Sequence, residues 1–147
     1  EPFVELVDDY SMPEQLSDIA DFIASTQSRV ACVAVDGKAY SGALSQALGS
    51  LGVSPRMVEL TTADNVTTAA AMLGSRAAAH TVHHIKVGYT DALTSSVTGS
   101  AKRLIGNRGA WGLGDGSVRS YMAEAASLAL WANETTKRDP EGGIAIW

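Results

Sequence analysis

The sequence predicts an α/β fold with a mostly parallel central sheet flanked by helices, and three observations carry that expectation. Val30 to Val35 is an almost unbroken apolar run, rich in β-branched Val and closed by Asp36-Gly37. Its length and bounds are those of a buried strand rather than a helix. The runs "FVELV" at 3–7 and "RMVEL" at 56–60 read as two more short strands. Helical periodicity falls between them, and the order strand, helix, strand, helix, strand calls for parallel pairing through right-handed crossovers.

The elements follow in order. "FVELV" alternates and is broken by "DDY". In "SMPE", Ser11 can cap a helix, Pro13 fits its first turn and Glu14 completes a capping box. Leu16, Ile19, Ala20 and Ile23 then share one face of a helix that runs to about Ser25. The strand 30–35 comes next. After Asp36-Gly37, Leu44, Ala47, Leu48 and Leu51 repeat at three and four residues, with Gly52 as a C-terminal cap. "RMVEL" gives a strand, and from Asp64 a helix sets Val66, Ala70, Leu73 and Ala77 on one face, its alanines suited to close packing on a sheet.

"HTVHHIKVG" is ambiguous between a last helical turn and an extended piece. A helix is expected from Tyr89 to Ile105 with Leu93, Val97, Ala101 and Leu104 inward, then a glycine-rich loop "GNRGAWGLGDG". The last helix, Ser117 to about Asn133, is expected to bury Val118, Met122, Ala125, Ala129 and Ala132. Residues 1–136 read as a single α/β domain and 137–147 as a C-terminal tail, mobile or docked on a partner.

Composition narrows the function classes. A chain of 147 residues, 46% of them apolar, can bury one real core. No stretch reaches the roughly 18 consecutive apolar residues of a membrane span, and the Glu-Pro start is unlike a signal peptide, so a soluble protein is expected. The single cysteine, Cys32, lies in the expected buried strand as an inert core residue, which fits a reducing cytoplasm. The net charge of −5 is concentrated in residues 1–36, while Lys86, Lys102, Arg103, Arg108 and Arg119 form a basic cluster against Asp91 and Asp115. That balance argues against tight nucleic-acid binding by the chain alone and leaves room for a weaker or assisted contact.

Each candidate site has two readings. Asp36 at the carboxyl end of a strand is pre-positioned as an oxygen ligand for a divalent cation, and Asp-Gly is equally the composition of a turn. Asp115 in "GLGDGSV" can cap the last helix, or face Asp36 across the sheet edge and share cations for phosphoryl transfer. His80 and His84 have i, i+4 spacing, and His83 lies between, but with no H-E-x-x-H glutamate and no nearby cysteine a surface or core-edge role is the simpler account. Gly112, Gly114 and Gly116 lack the lysine of a P-loop, so a flexible loop with Trp111 as its anchor is expected. No Walker motif, G-x-S-x-G or Cys-His arrangement supports ATPase, serine or thiol hydrolase chemistry.

The features also have a familiar order. "AVDG" ends a strand, "ALSQALGSLGV" gives a helix, and "RMVELTTADNVTTAAAML" gives a strand, loop and helix. "IKVGYTDALTSSVTGSAKRLIGNRGAWGLGDGSVRSYMAEAASLALWA" then closes on an alanine-rich helix. Over residues 30–132 this resembles the C-terminal nuclease domain of phage terminase large subunits. The resemblance implies a ribonuclease H-like fold and an endonuclease that cuts double-stranded viral DNA during genome packaging, in the host cell cytoplasm.

It implies three acidic residues around two Mg²⁺ or Mn²⁺ ions, and Asp36 matches the second of them. For the first, "FVELVDD" offers Asp8 or Asp9. The spacing to Asp36 favours instead that the family's first nuclease strands, like its ATPase domain, lie outside this chain. For the third, the aligned position is Arg119, with Asp115 about one turn earlier. Asp36 and Asp115 would then be the catalytic metal ligands, and Lys102, Arg103, Arg108 and Arg119 would contact DNA phosphates. The portal and the small terminase subunit are the implied protein partners. The competing expectation is a non-catalytic α/β interaction or assembly module of a viral particle, with Asp36 as a turn and Asp115 as a cap. A small-molecule enzyme on the same kind of sheet is a third.

Overall fold

Leu16, Ile19, Ala20 and Ile23 recur at helical spacing, and in the computed structural model, which describes residues 1–7, 16–36, 41–85, 91–114 and 120–139, they lie on helix α1 (Leu16–Thr26). Helix α2 (Ser41–Ser50) follows the expected pattern, with Leu44 and Leu48 buried, and Gly52 closes it at φ +79°, a conformation glycine adopts without cost. Strand β1 (Val33–Val35) pairs in parallel with strand β2 (Val58–Leu60), in the register Val33 to Val58, Ala34 to Glu59 and Val35 to Leu60. The parallel pairing expected between these two strands is therefore present. Ala20, Leu44, Leu48, Val53 and Met57 form the core beneath it. Burying a side chain of Leu48's size contributes about 1.5–3 kcal/mol.

Strand β1 is half as long as the apolar run. A 3₁₀ turn, Gln27–Arg29, takes the Val30 N–H onto the Gln27 carbonyl, and the Arg138 guanidinium donates to the carbonyls of Val30 at 2.7 Å and Ala31 at 3.2 Å. With those backbone groups already paired, the ladder starts at Val33. All three residues of β1 are half-buried, so this is not the fully buried central strand the composition suggested. Cys32 is half-buried too, and burial, with the Glu59 carboxylate adding to it, pushes its thiol up.

Helix α3 (Ala63–Ala78) opens on a capping box, with Thr62 as N-cap and Asn65 reaching back to the Thr62 N–H at 2.7 Å. Its buried face is Val66, Ala69, Ala70 and Leu73. His80, at φ +55°, turns the chain out of the helix; of the ambiguous segment beyond, residues 81–85 are non-helical with one bridge at His83, and 86–88 lie outside the described residues. His83 forms a parallel bridge with Phe3, and the Val4 N–H donates to the His83 carbonyl at 2.8 Å. This bridge is what the expected strand at 3–7 becomes.

The largest correction concerns 89–105. Helix α4 (Ala92–Gly99), with Asp91 as N-cap, stops at Ser100, whose backbone is extended. Strand β3 (Lys102–Ile105) then pairs antiparallel with strand β4 (Ala110–Leu113), across a turn in which Gly106 (φ +67°) and Gly109 (φ +78°) take left-handed conformations. The glycine-rich loop is thus half hairpin, and Leu104, expected inward, is 74% exposed. The hairpin lies against α3 at Gly112, where a Cβ would come within 3.2 Å of Val66 Cγ1. Helix α5 (Tyr121–Thr135) buries Met122, Ala123, Ala126, Leu128, Leu130, Trp131 and Ala132, whereas Ala125 and Ala129, also expected inside, are exposed. Val118 lies outside the described residues.

Helices hold 56% of the described residues, and the strands form two separate two-stranded sheets, one parallel and one antiparallel, in place of one mostly parallel central sheet. The architecture is mixed α/β. The chain divides into two compact units. One is built from the described residues of Glu1–Asp9 and Thr62–Trp131, with Val4, Leu93, Met122 and Ala126 in its core. The other comes from those of Tyr10–Thr61 and Ala132–Trp147 and holds the parallel pair. Among the described residues, no helix is long and apolar enough to cross a membrane.

Candidate functional site

The parallel pair ends on Asp36, which is exposed. The Thr61 N–H continues the ladder onto the Val35 carbonyl at 3.1 Å, and the Thr61 hydroxyl lies 3.2 Å from both that oxygen and Asp36 Oδ1. The carboxyl ends of β1 and β2 are thereby tied together, with a carboxylate and a hydroxyl at the surface. Because Ala34 sits opposite Glu59, strand alternation puts Glu59 and Asp36 on one face of this sheet. Glu59 carries only a faint sequence signal, a lone charge inside the apolar run "MVEL". This spot offers oxygen donors of the kind hard divalent cations prefer. Among the described residues no group of three His, Cys, Asp or Glu stands close enough to form a metal cluster.

Asp115, Arg119, Asp8, Asp9 and Lys86 lie outside the described residues. Of the remaining expected phosphate contacts, Lys102 and Arg103 are on β3 and Arg108 is on the exposed turn of the hairpin. They belong to a different compact unit from Asp36. Arg103 has a structural partner: its Nη2 donates to Glu124 Oε1 on α5 at 2.7 Å, and its side chain lies over Gly114. The Lys102 ammonium sits 4.5 Å from the centroid of the Trp111 ring, a cation–π arrangement.

The histidines occupy a third place. Helix α3 ends at Ala78, so the helical spacing of His80 and His84 does not apply. His83 Nε2 meets Glu1 Oε2 at 2.5 Å, and His84 Nε2 lies 3.0 Å from the Thr94 hydroxyl and 3.6 Å from Asp91 Oδ2. Thr94 donates to Asp91 Oδ2 twice, from its hydroxyl at 2.6 Å and its N–H at 2.8 Å. Those two bonds, with His84 adding to them, hold the Asp91 carboxyl below the usual carboxylate range. The three imidazoles border a cavity of about 370 Å³ whose walls include Val4, Leu73, Leu93 and Val97. His83 and His84 hydrogen-bond through their rings at the edge of this apolar cavity, and His80 lines it.

Comparison with family models, with curated proteins and with solved structures returns no match.

Proposed function

We propose that the chain is a metal-dependent endonuclease module of the phage terminase type, with a ribonuclease H-like ancestry, cutting double-stranded DNA during genome packaging in the host cytoplasm. The observation that carries this reading is the β1–α2–β2 unit, which delivers Asp36 at the carboxyl end of a parallel strand, exposed and oriented by Thr61. Open α/β sheets hold ligands at that end. Asp36 would bind Mg²⁺ or Mn²⁺, and Glu59 is the further carboxylate on the Asp36 face of the sheet. A cation held there supplies Lewis-acid activation of water and stabilisation of the departing 3′ oxygen. The chain's own part is to fix the carboxylate, through Thr61, and to meet phosphates with Lys102, Arg108 and Arg119, Arg103 being shared with Glu124. Packaging also needs an ATPase, a portal and a small subunit, which this reading assigns to other chains or domains.

The second reading, a non-catalytic assembly module, is favoured by one observation: the Asp36–Thr61 hydrogen bond is also a sufficient structural use of that carboxylate. Thermal melting with Mn²⁺ separates the two. A ligand at one hundred times its Kd stabilises by about 2.7 kcal/mol, which raises Tm by roughly 5–10 °C in a chain of this size. The nuclease reading expects that rise in the wild type and its loss in Asp36→Asn. Equal melting of both proteins, with and without Mn²⁺, favours the assembly module.

A further inference from the structure

We propose that the outer face of the β3–β4 hairpin takes an unpaired nucleic-acid strand, with Trp111 as the stacking platform for a base and Lys102 and Arg108 on the phosphates. The proposal rests on the nuclease reading and deepens it by naming the form of nucleic acid this surface accepts. Its basis is the register. Leu104 stands opposite Trp111 and Lys102 opposite Leu113, so these four share one face, while Arg103, Ile105, Ala110 and Gly112 share the other.

The second face is committed to the fold. Gly112 is buried close to Val66 of α3, and Arg103 is paired with Glu124 of α5. The first face is turned outward: Lys102 is exposed, Leu104 is 74% exposed and Trp111 is half-exposed. The Lys102 ammonium, a strongly hydrated group, lies over the Trp111 ring, which marks that ring face as reachable from solvent. Residues 92–114 carry Lys102, Arg103 and Arg108 and no carboxylate, in a chain whose net charge is −5. A local positive surface bearing a half-exposed aromatic ring, which a base can share with the mobile Lys102 side chain, and an exposed aliphatic side chain complements phosphates that alternate with open base faces. A duplex keeps its base faces stacked inside and would use only the two cations. An unpaired strand uses the ring as well, at any sequence.

The test is fluorescence anisotropy with a labelled short oligothymidine and a duplex of equal length, both in chelator so that nothing is cleaved. Wild-type protein is expected to bind the single strand more tightly. Trp111→Leu, which keeps apolar bulk and removes the π face, is expected to weaken the single strand by about tenfold and leave the duplex unchanged. Trp111→Phe is expected to restore most of the loss, and Lys102→Ala to weaken both forms. Should Trp111→Leu fail to fold, Leu104→Glu on the exposed face is expected to weaken the single strand in its place. Equal binding of the two forms, or a folded Trp111→Leu that binds the single strand as wild type does, overturns the proposal. Because no metal is present, anisotropy reads binding alone, independently of cleavage. Loss of cleavage therefore leaves the hairpin result standing, and cleavage without single-strand preference removes only the hairpin.

Discussion

Single residues decide more here than their sequence positions advertise. The place of Asp36 at a strand's end was legible because a β-branched run closed by Asp-Gly reads as a strand running into a turn, and Asp36 stands beside Thr61 at the end of β1. Arg138 was not legible: its two hydrogen bonds reach carbonyls 108 and 107 residues away, and no local pattern announces such a pair. Arg138→Ala is expected to cost about 1.5–3 kcal/mol in urea unfolding, the range for bonds to a charged donor. An unchanged midpoint would show that the tie contributes nothing.

Asp91 gives a pH prediction with a definite sign. Its carboxyl is held below the ordinary carboxylate value of about 4, chiefly by the Thr94 hydroxyl and N–H. The stabilisation is therefore complete above that value and is lost as pH falls through the lowered one. Tm of the wild type should drop more steeply below pH about 4 than that of Asp91→Asn, which cannot ionise. Parallel curves would contradict the assignment.

At the scale of elements, propensity and periodicity succeeded where one face packs and failed where a turn intervenes. Helix α3 was readable from Val66, Ala70 and Leu73, and its start is fixed by Thr62. Thr62→Ala should cost about 0.5–2 kcal/mol by chemical denaturation, and Thr62→Asp, another good N-cap, should retain most of that stability. Between 89 and 105 the spacing of Leu93, Val97, Ala101 and Leu104 imitates a helix, but Gly99-Ser100 ends it and Gly106 and Gly109 permit the tight return of a hairpin. Side chains of "KRLI" alternate between faces, a period-2 signal too short to outweigh the helical one. In α5 the error was of breadth. Ala125 and Ala129 were assigned inward, yet the buried positions run from Met122 through Ala132 on a wide face that a single stripe does not capture.

For the whole molecule, strand-like runs alternating with helical periodicity predicted the mixed class, and their order predicted the parallel pair. The division into two small sheets followed from the hairpin, which the sequence hid. Under the proposed function, with Lys102 and Arg108 as the phosphate contacts of the hairpin, this acidic chain should bind nucleic acid weakly and with a shallow salt dependence. About two neutralised phosphates give a log–log slope near −2 with duplex DNA, measured by titration at several salt concentrations. A slope near −6 would mean a much larger basic surface than the one described.

The central claim is that Asp36 holds the metal of a nuclease. The most direct measurement is conversion of supercoiled plasmid to nicked and linear forms in Mn²⁺, by wild type and Asp36→Asn side by side, in this chain and in any longer protein its gene encodes. The account predicts cutting that disappears with the carboxylate, because the asparagine amide keeps the shape and loses the charge that binds the cation. Cutting that survives Asp36→Asn, or no cutting by the wild type at either length, would contradict it.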